Sequence, residues 1–360
     1  MKQNKWTLKE IVAGIEPIDP VWIQRARERT AALLMPARAL GRLHQLAEQL
    51  CGIRRSLHPS IGRKAFLIMA GDHGIVEEGV SAYPQEVTGE MIKVFLAGGA
   101  GINILAGQVG AQLHVVDMGV KADPDLSGLD TGHRFISRKV ARGTANFVHG
   151  PAMKREQAEE AVSSGFQLAT ELFDNGVEML GTGDMGIGNT TPSAAIGAVI
   201  TGADLEAMVG RGTGIDDRSL ERKIEVVRRG IHTTRPDAAD GMDVLAKVGG
   251  FEIGGIAGCI LAGAFHRRPV VIDGFISTAG ALIATVLAPA AIDFMLAGHC
   301  SEEPGHRLML QHLGLSPILD LGMRLGEGSG GALAMGIIEA AARIFREMAT
   351  FEEAGVSGKE

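Results

Sequence analysis

The sequence predicts an α/β fold: a parallel β-sheet with helices on both faces, plus a small helical domain drawn from the two chain ends. Three observations lead there. Short apolar runs, AFLIMA at 65–70, LHVVD at 113–117, VEML at 177–180 and PVVID at 269–273, each stop at Gly or Asp, the pattern of strands buried on both faces. Helical patterns lie between them, and strands alternating with helices give a parallel sheet. The last 70 residues show no comparable strand run, so helical structure is expected there.

In chain order, residues 20–50 read as helix, with Asp19 as cap, Pro20 in the first turn, and Leu40, Leu43, Leu46 and Leu50 at helical spacing. Residues 154–173 carry one apolar stripe, Ala158, Ala161, Val162, Ala169, Leu172 and Phe173, with Gly176 following as a stop. After VEML, GTGDMGIGN reads as a loop, and its helix is expected to start with Thr191 as cap and Pro192 in the first turn. The run GALIATVLAPAAIDFMLAG at 280–298 is broken by Pro289 and Asp293, so it reads as one or two buried helices, not a membrane span. Residues 329–349 read as one long helix capped by Ser329. No repeat of 20 to 50 residues is evident.

Composition narrows the function. The chain has 360 residues, 46% of them hydrophobic and only 4% aromatic, so a large core is filled mainly by aliphatic side chains. Its 50 glycines are roughly twice the usual share and lack a G-X-Y period, which points to tight turns and close backbone approaches. A net charge of −7 argues against a nucleic-acid or anionic-membrane surface. The three cysteines, Cys51, Cys259 and Cys300, form no CxxC spacing, which fits a reducing cytoplasm better than a disulfide framework. The opening MKQNKWTLKEIVAG lacks an apolar stretch after its lysines, so no leader is expected.

In an open parallel sheet, ligands bind beyond the carboxyl ends of the strands, so the loops there are the places to seek chemistry. Gly181, Gly183 and Gly186 make a G-x-G-x-x-G, but at this glycine content the pattern arises about once by chance in such a chain. A dinucleotide fingerprint would also open a helix at its last glycine, and Asp204 would be its loosely placed ribose ligand. The same pattern recurs as GEGSGG at 326–331, and each copy holds one acid, Asp184 or Glu327. Two glycine loops with one carboxylate apiece suggest backbone donors for an anion and side chains for a cation. The plainer reading is that each acid favours a nearby helix N-terminus.

PVVIDGFISTAGAL resembles the loop of diphosphate-dependent phosphoribosyltransferases, with Gly274 in place of the second acid. Asp273 could equally cap Ser277 or Thr278. Asp72-His73 ends a strand as an acid/base pair or a turn-stabilising one. His299, Cys300, His306 and His312 match no zinc spacing. Tyr83 suits stacking on a flat ligand or packing within its loop. Arg211, Arg218 and Lys223 suit a phosphate, while Arg222, Lys223, Arg228 and Arg229 also read as a solvated helix face.

Taken together, MAGDHGIVEEGVSAYPQEVT, LGTGDMGIGNTTPSAAI, VVIDGFISTAGAL, SEEPGH and LDLGMRLGEGSGGALAM closely resemble the nicotinate-nucleotide:dimethylbenzimidazole phosphoribosyltransferases, which prepare the lower-ligand nucleotide of cobalamin. The resemblance implies a Rossmann-like sheet, a large α/β domain over 31–290, and a small helical domain from 1–30 and 291–360. It also implies a homodimer that transfers phosphoribose from nicotinate mononucleotide to 5,6-dimethylbenzimidazole. The products would be α-ribazole 5′-phosphate and nicotinate. Nicotinate leaves from a pyridinium, so neither metal nor cofactor is required.

By motif position, Glu327 matches the general base, and Asp184 an acidic site position that is Glu in some relatives. Gly183, Met185, Gly186, Ile187, Gly188 and Asn189 would line the ribose phosphate, with Lys223, Asp273 and Ser301 near it. Tyr83, Met91 and Leu325 would flank the benzimidazole; the first two replace smaller or more polar residues of some relatives. Another azole, purine or phenolic acceptor is the alternative within the class. A non-catalytic nucleotide or base sensor is the alternative outside it.

Overall fold

The computed structural model describes residues 6–129 and 134–357, so the first five residues of the opening segment read for a leader lie outside it. Among the described residues six strands form the sheet: β1 (Lys64–Gly71), β2 (Ala111–Gly119), β3 (Arg134–Ser137), β4 (Met179–Met185), β5 (Val270–Ile272) and β6 (Met295–Ala297). All pairings are parallel, in the order β3-β2-β1-β4-β5-β6. This is the doubly wound order of Rossmann sheets, whose chain reverses direction across the sheet between β1 and β4 and leaves a crevice at their carboxyl ends.

Every residue of β1 is buried, and its side chains alternate between two cores. Leu67 and Met69 join the helices Arg155–Asp174 and Phe251–Phe265 on one face, while Phe66 and Ile68 join the long helix Ser329–Glu347 on the other. Burial on both faces explains why the run shows no polar alternation. The glycine excess is partly explained here as well. A methyl at Gly165 would stand 1.9 Å from the carbonyl oxygen of Gly255, and one at Gly258 2.0 Å from that of Val162, so the two helices touch backbone to backbone.

The two chain ends meet. Leu34 N donates to Ala349 O and Phe351 N to Ala32 O, at 2.9 and 3.0 Å. That pairing breaks the helix expected over 20–50 into Pro20–Ala32 and Arg42–Arg54; Asp19 does cap the first, accepting from Val21 N at 2.9 Å. The stripe over 154–173 lies in Arg155–Asp174, with Leu172 only partly buried.

Other boundaries move for local reasons. The glycines of GTGDM continue β4 because other groups crowd them: a methyl at Gly181 would stand 2.1 Å from the Phe66 ring. The edge strands β3 and β6, of four and three residues, are too short for a periodic signal; β6 lies in the region whose sequence shows no strand run. The run 280–298 forms the end of the helix Phe275–Leu287, the 3-10 turn Pro289–Phe294 and β6. The helix after β4 begins at Thr190 with Asn189 at the cap, which places Thr191 and Pro192 inside the first turn. Gly328 caps Ser329–Glu347, and the Ser329 hydroxyl donates to Gly326 O at 2.7 Å.

Candidate active site

Two strand ends and one glycine loop build the floor of the site. Asp273 follows β5 and accepts from the amides of Gly328 at 3.1 Å and Gly331 at 2.8 Å. It therefore anchors the GEGSGG loop and does not cap Ser277 or Thr278, whose hydroxyls bond within 3.0 Å to Thr182 and to Gly274 O. Held in this way, Gly326, Glu327 and Gly328 all take positive φ, at 79°, 63° and 96°. A side chain in that region costs roughly 1–2 kcal/mol, so the loop presents Glu327 at the expense of local strain. Gly183 makes room for it: a methyl there would stand 2.4 Å from the carbonyl oxygen of Glu327.

The Glu327 carboxylate is buried, with Ile102 N at 3.4 Å from Oε2, and burial raises its pKa above the ordinary glutamate value. Asp184 lies nearby, its carboxyl 3.5 Å from where a Gly326 methyl would be. One oxygen accepts from Asn189 Nδ2 at 2.9 Å, and the other has no hydrogen-bond partner among the described residues. Burial, then the charge of Asp273, pushes the Asp184 pKa up to about 8. Asp184 thus holds a proton at neutral pH, and a cation arriving beside it favours release of that proton.

After β4 the chain turns through Gly186–Asn189 into the helix Thr190–Thr201, whose N-terminus presents backbone donors toward an anion. Three of its amides are already used: Ile187 N donates to Thr88 Oγ1 at 3.1 Å, Asn189 N to Gly186 O at 3.1 Å and Thr191 N to Gly188 O at 3.0 Å. Lys223 is fully buried behind this corner, with Nζ donating to Thr190 Oγ1 at 2.7 Å and Gly210 O at 3.1 Å. Burial lowers its pKa to about 8, against the opposing pull of Glu303. Its solvated-face reading is therefore corrected. Arg211 instead pairs with Asp217 at the surface, and Asp204 precedes the helix Leu205–Met208 at its N-cap position, without a side-chain capping bond.

Ser301 stands opposite. Its amide donates to His306 Nδ1 at 2.9 Å, and His306 Nε2 lies 2.9 Å from Thr278 Oγ1. Burial, with His299 and Arg307 nearby, lowers the His306 pKa to about 3, so the ring is neutral and its proton belongs on Nε2.

These groups enclose a cleft of about 410 Å³. Tyr83, Met91, Asp184, Met185, Gly186, Ile187, Gly188, Asn189, Ser301, Leu325 and Glu327 all line it, whereas Gly183, Lys223 and Asp273 stand behind its wall. Tyr83 and Leu325 are more than half exposed and form an apolar mouth above the acids. A larger groove of about 730 Å³ between Ile18, Gln49 and Leu315 has Asp293 as its single acid, already accepting from Ile18 N at 2.9 Å. The two buried acids Asp184 and Glu327 line the smaller space.

The cleft is also lined by Glu303 and Arg324, which the sequence did not single out, and by His299, considered there only as a metal ligand; Thr88 braces the Ile187 amide from behind. Glu303 lay in view inside SEEPGH and accepts from Gly212 N at 2.8 Å. Thr88 gives no local signal at all.

The phosphoribosyltransferase family pattern matches residues 15–356. A nicotinate-nucleotide–dimethylbenzimidazole phosphoribosyltransferase of Desulforudis audaxviator is 52% identical over 97% of this chain and 98% of its own. One of Geobacter sulfurreducens is 53% identical over the same shares. The crystal structure of the enzyme of that name from Thermus thermophilus superimposes with a TM-score of 0.88 at 45% identity, covering 95% of this chain and all of that one. With that fold and these strand-end acids, the chain belongs to the nicotinate-nucleotide–dimethylbenzimidazole phosphoribosyltransferase family.

Proposed function

We propose that this chain transfers the phosphoribosyl group of nicotinate mononucleotide to 5,6-dimethylbenzimidazole, giving α-ribazole 5′-phosphate and nicotinate, with Glu327 as general base. The observation that carries the reading is the pairing of two buried acids, Asp184 and Glu327, on one cleft wall with an amide-rich turn beside them. The phosphate is placed at the Gly186–Asn189 turn and the helix N-terminus, with Ser301 beside it and Lys223 and Asp273 supporting from behind. As the bond to the pyridinium loosens, positive charge spreads over the ribose, and Asp184, having released its proton to solvent when the cationic substrate bound, stabilises it as a carboxylate. One benzimidazole nitrogen attacks the sugar carbon while Glu327 takes the proton from the other, so the product leaves without an added charge. Burial suits Glu327 to this role by raising its proton affinity.

Tyr83, Met91 and Leu325 are assigned to the two faces of the acceptor. Their apolar surfaces fit any flat ring, so an azole, purine or phenolic acceptor is the second reading, favoured by the half-open mouth they form. The active form is proposed to be a cytoplasmic homodimer. Incubation with nicotinate mononucleotide and equal concentrations of the candidate acceptors tests the assignment: 5,6-dimethylbenzimidazole should be consumed first, with nicotinate released in equal amount. Preferential use of a phenol or purine would overturn the acceptor assignment. No nicotinate with any acceptor would leave a nucleotide or base sensor as the better description.

A further inference from the structure

Behind the Gly186 turn sits a charged pair that the proposed chemistry leaves without a role. His73 follows the end of β1, Glu252 lies in the first turn of the helix Phe251–Phe265, and each is at most 1% exposed. His73 Nε2 is 2.9 Å from Glu252 Oε1, yet neither ring nitrogen makes a well-directed hydrogen bond among the described residues. Glycines make room for the pair: a methyl at Gly250 would stand 2.5 Å from His73 Cε1, and one at Gly71 2.7 Å from Glu252 Oε2. A methyl at Gly186 would stand 3.3 Å from His73 Nε2. The imidazole therefore backs directly onto the turn.

A buried ion pair adds little to stability compared with an apolar filling of the same volume. The field cast on the neighbouring turn is what distinguishes the two. Glu252 sits in the first turn of its helix, at the positive end of the helix dipole. Burial disfavours the imidazolium, but Glu252, with Asp72 adding to it, outweighs that and raises the proton affinity of His73 above the ordinary histidine value. The member of the pair adjoining Gly186 is the imidazole.

We propose that the His73–Glu252 pair is a buried cationic support for the Gly186–Asn189 turn, strengthening its hold on the phosphate of the nucleotide substrate. His73 is a positioning residue here, acting through the turn. The inference rests on reading that turn as the phosphate site, and the experiment separates the two.

Calorimetry at pH 7 with nicotinate mononucleotide and with its phosphate-free riboside gives the ratio of their affinities, which reads the phosphate contribution alone. Wild-type protein should bind the nucleotide far more tightly. H73Q should lower the ratio by at least about tenfold, the size of one charge acting over several ångströms at intermediate dielectric, with riboside affinity little changed. E252Q should lower it in the same direction. Because an unpaired buried charge endangers folding, the apolar double variant H73L/E252M serves as the second probe, with a smaller loss of ratio in the same direction, beyond about twofold, expected. A wild-type ratio near one overturns the phosphate-site reading and the proposal with it. A high wild-type ratio kept within about twofold by H73Q and by the double variant overturns the proposal alone.

Discussion

Glu327→Gln is the sharpest test of the chemistry, because the structure separates its effect on rate from any effect on folding. Gln has the same length and branching, so it inherits the same positive-φ backbone at 63°, and its amide oxygen replaces the weak acceptor 3.4 Å from Ile102 N. The loop remains fixed by Asp273 and by the Ser329 hydroxyl, neither of which the change touches. Stability should therefore change by less than about 1 kcal/mol, the net value of an ordinary hydrogen bond. The rate should not be spared. A positioned base supplies about 10²- to 10⁴-fold, or roughly 3 to 5 kcal/mol of barrier, so kcat should drop by at least about 10²-fold. Chromatographic quantification of nicotinate and α-ribazole 5′-phosphate gives the rate, and thermal unfolding checks the fold. The wild-type kcat/KM should also decline on the acid side at a pH above the ordinary glutamate value, since burial raises the Glu327 pKa, and E327Q should lose that limb. A normally folded E327Q with near-wild-type turnover would refute the assignment of Glu327 as base.

Asp184→Asn tests the second acid. The folded pKa of about 8 lies above the ordinary aspartate value of 3.8, so between those pH values only the folded state holds the extra proton. Stability should consequently fall as pH rises across that window. D184N should lose this slope in urea titrations, becoming more stable than wild type at pH 8 by on the order of a few kcal/mol, while transferring phosphoribose more slowly. An unchanged slope would mean that Asp184 is ionised in the folded protein before substrate binds. Gly183→Ala forces a methyl within 2.4 Å of both the Glu327 carbonyl and Ile68 Cδ1, so it should cost about 1–3 kcal/mol in urea unfolding and reduce kcat by displacing the base. Lys223→Met removes the buried ammonium behind Thr190; the KM for nicotinate mononucleotide should rise by about tenfold, with the KM for the base unchanged in initial-rate assays. A rise in both would point to general damage.

Read alone, the sequence determined the layered α/β class, because apolar runs without alternation mark strands covered on both faces. It also pointed to the loops past the strand ends, and to Glu327 and Asp184 within them through their motifs. Local signals located the helices Arg155–Asp174 and Ser329–Glu347 to within a few residues, since caps, stripes and stops are read from near neighbours. Only the tertiary structure decided what depends on distant parts of the chain. Gly181 belongs to a strand because Phe66 needs the space, and Asp273 is an anchor because a loop 55 residues later offers it amides. The pairing of His73 with Glu252 and the raised proton affinity of Asp184 are of the same kind. Burial and Coulomb interactions are set by which groups folding brings within a few ångströms, and no short window of sequence encodes that proximity.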